Sequence, residues 1–182
     1  MGYPEPASPT GVYDGAIPKS RVRAPMSISV EVVNRQKTVA VDARWLERIV
    51  RKAVAAIKAE AAEITVLVVD DRRIAALHDR WLGIPGPTDV LTFDLAAGEP
   101  RRLAGDIAVS AETARRLARE LGWQARHELA YYVVHGLLHL AGEDDGTPGE
   151  RRRMRRRERA VMAAVGLPAP PRRPRRPVRH GR

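Results

Sequence analysis

Hydrophobic and polar positions change period along this chain, and each change marks an element. Met26, Ile28, Val30 and Val32 alternate with Ser27, Ser29 and Glu31. A period of two predicts a half-buried strand over residues 26–33, at an edge or with mixed faces. Past Asp42, a helix-capping residue, Leu46, Ile49, Val50, Ala53 and Ile57 recur at helical spacing while Arg44, Glu47, Arg48, Arg51 and Lys52 take the other side. That pattern predicts a helix packed on a sheet. Residues 64–69 are almost continuously apolar up to Asp70 and Asp71, as expected of a central strand covered on both faces.

A short helix is predicted over residues 71–81, stopped by Gly83, Pro85, Gly86 and Pro87, with strands at 88–95 and 105–109. Ser110 caps a helix carrying Ala114, Leu117, Ala118 and Leu121, and Gly122 ends it. Residues 123–140 form the next helix, apolar on most sides, and 150–165 the last, with Met154, Val161 and Val165 as its stripe and arginines elsewhere. Strands interspersed with helices predict a layered α/β (α+β) domain over residues 26–167. Residues 1–25, with Pro4, Pro6, Pro9, Pro18 and Pro25 and no periodic pattern, are expected to be a disordered tail; residues 168–182 read as an extended Pro/Arg tail.

Composition narrows the function. Cysteine is absent, which excludes disulfides and thiolate metal sites and fits a reducing compartment. The first residues have neither a basic start nor an apolar run, and no segment approaches membrane-spanning length. A soluble cytoplasmic protein without a membrane partner is expected. The net charge of +10 is unevenly spread: residues 26–149 hold 16 basic and 18 acidic side chains, residues 150–182 hold 13 Arg and 2 Glu. A phosphate-contacting role for the C-terminal arginines is therefore expected, weighed against a merely solubilising one.

The candidate chemistry lies in HGLLHLAGEDD, residues 135–145. His135 and His139, four apart on a helix, lie on one face within reach of a single cation. Gly142 lets the chain turn back and bring Asp145 to the same ion, and three protein ligands leave one position open, the mark of a catalytic rather than a structural site. The competing reading is two hydrogen-bonded core histidines on an apolar helix. Zinc hydrolases with Glu directly after the first His use it as general base; here that residue is Gly136, which disfavours a zinc peptidase and leaves no catalytic group assigned beyond a metal-bound water. Asp70 and Asp71 read as capping residues at a strand end, Asp89 and Asp106 as strand-end carboxylates able to orient a ligand, and His127 as a surface or partly buried residue too far along the helix to share the ion.

Four blocks in order, PTDVLTF (87–93), GDIAVS (105–110), VVHGLLHLAGEDD (133–145) and ERRRMRRRE (150–158), resemble the YbeY family of bacterial endoribonucleases, also described as rRNA maturation factors. The resemblance covers most of residues 26–167. It implies one α/β domain with a small mixed sheet, one zinc ion and hydrolysis of single-stranded RNA. It also implies work on the small ribosomal subunit: 16S rRNA 3′-end maturation and late ribosome quality control. The family pattern has a third His where this chain has Asp145, and Tyr where it has Glu143. Asp145, rather than Asp144 or Glu143, is expected as the third ligand because it falls six residues after His139, at the family's third His. The family also carries Arg after the aromatic that precedes PTDVL, whereas here Leu82 follows Trp81. Leu cannot contact phosphate, and Arg80, two residues earlier, reads as a solvated helix charge. Two expectations stand: a zinc-dependent endoribonuclease, or a metal-binding ribosome-assembly factor that holds RNA or protein without cleaving it.

Overall fold

The computed structural model describes residues 27–96 and 101–171. The tail expected over residues 1–25 and the end of the basic tail lie outside these. Among the described residues four strands and five helices follow in the order β1 (Ile28–Asn34), α1 (Ala43–Ile57), β2 (Ala61–Val69), α2 (Asp71–Leu82), β3 (Val90–Asp94), β4 (Arg102–Ser110), α3 (Ala111–Glu120), α4 (Ala125–Leu140) and α5 (Pro148–Ala164). The strands form one mixed sheet in the order β1-β2-β4-β3. β1, β2 and β4 run parallel, and β3 pairs antiparallel with β4. The strand predicted at the edge is at the edge, and the continuous apolar run is central.

Two strands are longer than their apolar runs. β2 and β4 pair over nine positions each, from Ala61 opposite Arg102 to Val69 opposite Ser110. The ladder hydrogen-bonds backbone whatever the side chain, so it carries Ala61–Glu63 and Arg102–Ala104 into the sheet although their sequence shows little strand character. The last helix starts two residues before its predicted position because Thr147 caps it: its side chain accepts from Glu150 N and the Glu150 side chain accepts from Thr147 N, with Pro148 in the first turn.

Alternation along the central strands divides the interior. Ile64, Val66, Val68, Leu103, Ile107 and Val109 join the large core with α1, α4 and α5, while Val69 and Ala108 join Ile74 and Leu77 of α2 and Leu91 of β3 in a smaller cluster on the other face. α4 is buried along most of its length, and it presses against the sheet at Gly136. A Cβ there would stand 2.9 Å from Ile107 Cγ2 and 3.1 Å from Thr92 Oγ1. Any larger residue after His135 has to push on the Ile107 and Thr92 side chains of β4 and β3, a packing cost that disfavours glutamate there. No described helix is long and apolar enough to cross a membrane.

Candidate metal centre

The last two turns of α4 carry the histidines. His135 and His139 present their Nε2 atoms to each other at 3.0 Å, with the rings edge-to-face at 4.5 Å between centroids. The helix then ends in a Schellman turn: Gly142, at φ +82°, donates to His139 O, and Glu143 N donates to Leu138 O. The reversal returns Asp145 to the histidines, so that one ligand atom from each of His135, His139 and Asp145 lies within 4.8 Å of the others. Asp144, its neighbour, is used locally: its carboxylate accepts from the backbone N–H of Asp145 at 2.6 Å and of Gly146 at 3.3 Å.

Helix α5 braces this arrangement from behind. The carboxylate of Glu158, only 3% exposed, accepts from His135 Nδ1 at 2.8 Å and from the Tyr131 hydroxyl at 3.0 Å. A carboxylate is an acceptor only, so the proton of the first bond sits on Nδ1 and the lone pair of the neutral ring sits on Nε2, facing His139. The hydrogen bond also fixes the plane of the ring, the usual outer support of a metal-bound imidazole. Two arginines of α5 hold the loop: Arg151 donates to the carbonyls of Asp145 at 3.0 Å and Gly146 at 2.8 Å, and Arg157 Nε donates to Glu143 at 3.0 Å.

The electrostatics separate the two rings. Burial pushes the His135 pKa down, but the hydrogen bond and charge of Glu158, helped by Asp145 and Asp89, outweigh it and hold the ring above its ordinary value. Burial and the neighbouring His135 both lower His139, against the pull of Asp145 and the Glu143 and Asp144 loop. Two nitrogens, one of them a fixed lone pair, and a carboxylate facing one point form a donor set that suits a divalent cation such as zinc. Their 3.0 Å nitrogen separation is close to the roughly 3.3 Å edge of a tetrahedron with 2.0–2.1 Å metal–nitrogen bonds. The residues fit the ion.

Beside the pair opens a cleft of about 410 Å³ lined by Trp81, Leu82, Asp89, Phe93, His135 and His139 among others. Asp89 therefore stands at the site, its carboxylate accepting from Val90 N at 3.1 Å and from the Thr88 hydroxyl at 3.1 Å. The other acidic candidates are placed elsewhere. Asp70 is the N-cap of α2, its side chain accepting from Arg73 N. Asp71 is not a cap. It ties α2 to α3 by accepting from the Ser110 and Thr113 hydroxyls and from Arg116. Asp106, on β4 with burial raising its pKa against the Thr65 hydrogen bond, does not line the cleft. His127 is buried rather than on the surface, and Arg80 is exposed in the last turn of α2, outside the cleft lining.

Sequence reasoning missed Glu158. Its signal was present: Met154, Glu158, Val161 and Val165 share one helical face, so the carboxylate lies on the apolar stripe of an otherwise arginine-rich helix. The family model described as Endoribonuclease YbeY matches residues 31–166. An Endoribonuclease YbeY from Pelotomaculum thermopropionicum is 39% identical over 148 residues, covering 76% of this chain and 97% of the relative. Another from Desulfitobacterium hafniense is 41% identical, covering 67% and 84%. The solution structure of TM1509 from Thermotoga maritima superposes with a TM-score of 0.53 at 25% identity, over 74% of this chain and 90% of that one. With the matched segment running from β1 through the whole of α5, the chain belongs to the YbeY endoribonuclease family.

Proposed function

We propose that this protein is a zinc-dependent endoribonuclease that cuts single-stranded RNA, acting in the cytoplasm in 16S rRNA 3′-end maturation and late ribosome quality control. The observation that carries the reading is the convergence of His135, His139 and Asp145 at one side of an open cleft, with Glu158 locking His135 from behind. When bound, the ion supplies Lewis acidity toward a phosphoryl oxygen and lowers the pKa of a coordinated water toward about 7.

The chain's own residues do the rest. Glu158 keeps the His135 proton on Nδ1 throughout, so Nε2 stays a ligand and does not become an acid. Asp145 contributes a negative charge, which lowers the formal charge of the centre below that of a three-histidine set and shifts activity toward alkaline pH. Gly136 lets α4 seat against β3 and β4, which fixes the His pair at the cleft wall. A peptidase reading lacks support, since Gly136 stands where such enzymes carry their glutamate base and is packed against Ile107 and Thr92.

A second reading, an assembly factor that binds without cutting, is favoured by one observation: among the described residues no Arg or Lys lines the cleft, and Leu82 stands in its wall. Purified protein incubated with a single-stranded 16S 3′-end fragment separates the two. Cleavage that is lost with chelator, restored by zinc and absent in His135→Ala supports the enzyme; retention of the RNA without cleavage under all of these conditions supports the binder.

A further inference from the structure

Five large apolar side chains are exposed among the described residues, and four of them, Trp81, Leu82, Ile84 and Leu95, belong to the end of α2 and its following turn or to the end of β3. Trp81 is 50% exposed and Leu82 60% exposed. Neither is left over from the core, because both line the cleft that His135 and His139 share. Trp81 meets Phe93 edge-to-face at 5.6 Å between centroids, so the indole is braced while half its surface stays open. An aromatic held in place at the mouth of a cleft, beside an apolar residue and with no basic one among the described lining, is suited to a flat uncharged group.

We propose that Trp81, braced by Phe93 and flanked by Leu82, is a stacking platform for one unpaired base of the RNA whose phosphate lies at the His135–His139 pair. The inference rests on the endoribonuclease reading of the same cleft and adds what selects the strand. Bases in a duplex are stacked on each other and cannot reach a side-chain ring, whereas a single strand can splay one out. Selection of unpaired RNA then comes from the cleft wall, with the ion indifferent to pairing. It also gives Leu82 a role that does not need a charge: apolar contact at the edge of the base.

The test uses the zinc-loaded full chain and a short oligoribonucleotide, as a single strand and as a blunt duplex, with binding read by rapid mixing before turnover. Trp81→Ala is expected to weaken single-strand binding about five- to hundredfold, the loss typical of one stacked base, and to leave duplex binding and zinc uptake unchanged. Trp81→Tyr retains a ring and restores most of the preference. A scan of single abasic positions adds a readout that altered folding does not mimic. One position weakens wild-type binding and has no effect in Trp81→Ala. Equal losses on single strand and duplex, or an abasic position that matters equally in both proteins, overturn the platform while leaving the nuclease reading intact. A wild-type protein that binds no RNA removes both, and is told apart because the variants then have nothing to lose.

Discussion

His135 stands on a helix buried along most of its length and is gripped by a carboxylate that solvent scarcely reaches, whereas Asp145 stands on a partly exposed loop positioned by arginine contacts at the surface. The two deliver ligand atoms to one point by different physics. On the helix side, position is over-determined by packing; on the loop side it depends on a few hydrogen bonds that water and salt can weaken. A donor set need not be uniformly rigid: in the proposed set the helix pair would define where the ion sits and Asp145 would complete it.

Removing ligands should produce the largest effects and should sharpen the contrast. Asp145→Ala and His135→Ala are both expected to reduce zinc affinity on the order of a hundredfold or more, by competition titration. Only His135→Ala should also destabilise the metal-free protein, because it leaves the buried Glu158 without one of its two donors. Asp145→His should keep the ion and move the pH optimum lower, while Asp144→Ala, which loses only turn hydrogen bonds, should keep zinc affinity within about twofold. Full occupancy in Asp145→Ala beside loss in Asp144→Ala would show that the wrong carboxylate has been assigned.

Glu158 comes next. Glu158→Gln keeps the shape and can still accept, but loses the charge, and zinc affinity should fall about tenfold to a hundredfold. Glu158→Ala removes the acceptor shared by the Tyr131 hydroxyl and His135 Nδ1 and should cost roughly 2–4 kcal/mol in chemical denaturation with chelator present. If Glu158→Gln binds zinc like the wild type, the support from α5 is structural only.

On the loop side, Arg151→Ala and Arg157→Ala should each lower zinc affinity by about threefold to tenfold while changing metal-free stability by less than about 1 kcal/mol. Arg157→Ala should act through Glu143, so Glu143→Ala added to it should have little further effect in a double-mutant cycle. Large losses of stability in either single variant would mean that the loop is as much a part of the core as the helix.

The helix side was also the more legible in the sequence. The spacing of His135 and His139 is local, as are the period-two and helical patterns that located all four strands and five helices. Glu158 was hidden by its neighbours, since a carboxylate among seven arginines of one helix reads as solvated until its place on the stripe is counted. The extra ladder residues of β2 and β4, the Trp81–Phe93 pair and the role of Gly136 depend on which strand lies beside which helix, and no local pattern encodes that. Asp71 was misread for the same reason. A strand-end aspartate before a helix resembles a cap, yet its partners, Ser110, Thr113 and Arg116, are about forty residues away in a different helix and its cap.

That aspartate supplies the smallest expected effect and a control for the rest. Burial raises the pKa of Asp71, but hydrogen bonds from Ser110, Arg116 and Thr113 more than reverse this and hold it below its ordinary value of 3.8. A carboxylate depressed in the folded state contributes stability that is fully present above its unfolded pKa and is lost as pH falls through the folded one. The contribution is therefore constant from neutral pH down to about 4 and disappears below that. Asp71→Asn should cost about 1 kcal/mol at pH 6, because the contact is partly open to solvent, and should flatten the acid limb of the stability curve. Denaturation series run with chelator, from pH 6 downward, exclude proton competition for the ion. The metal-free wild type should then lose stability below about pH 4 by an amount that Asp71→Asn has already lost. An identical acid limb in the two proteins would mean that the tie between α2 and α3 carries no titratable stability.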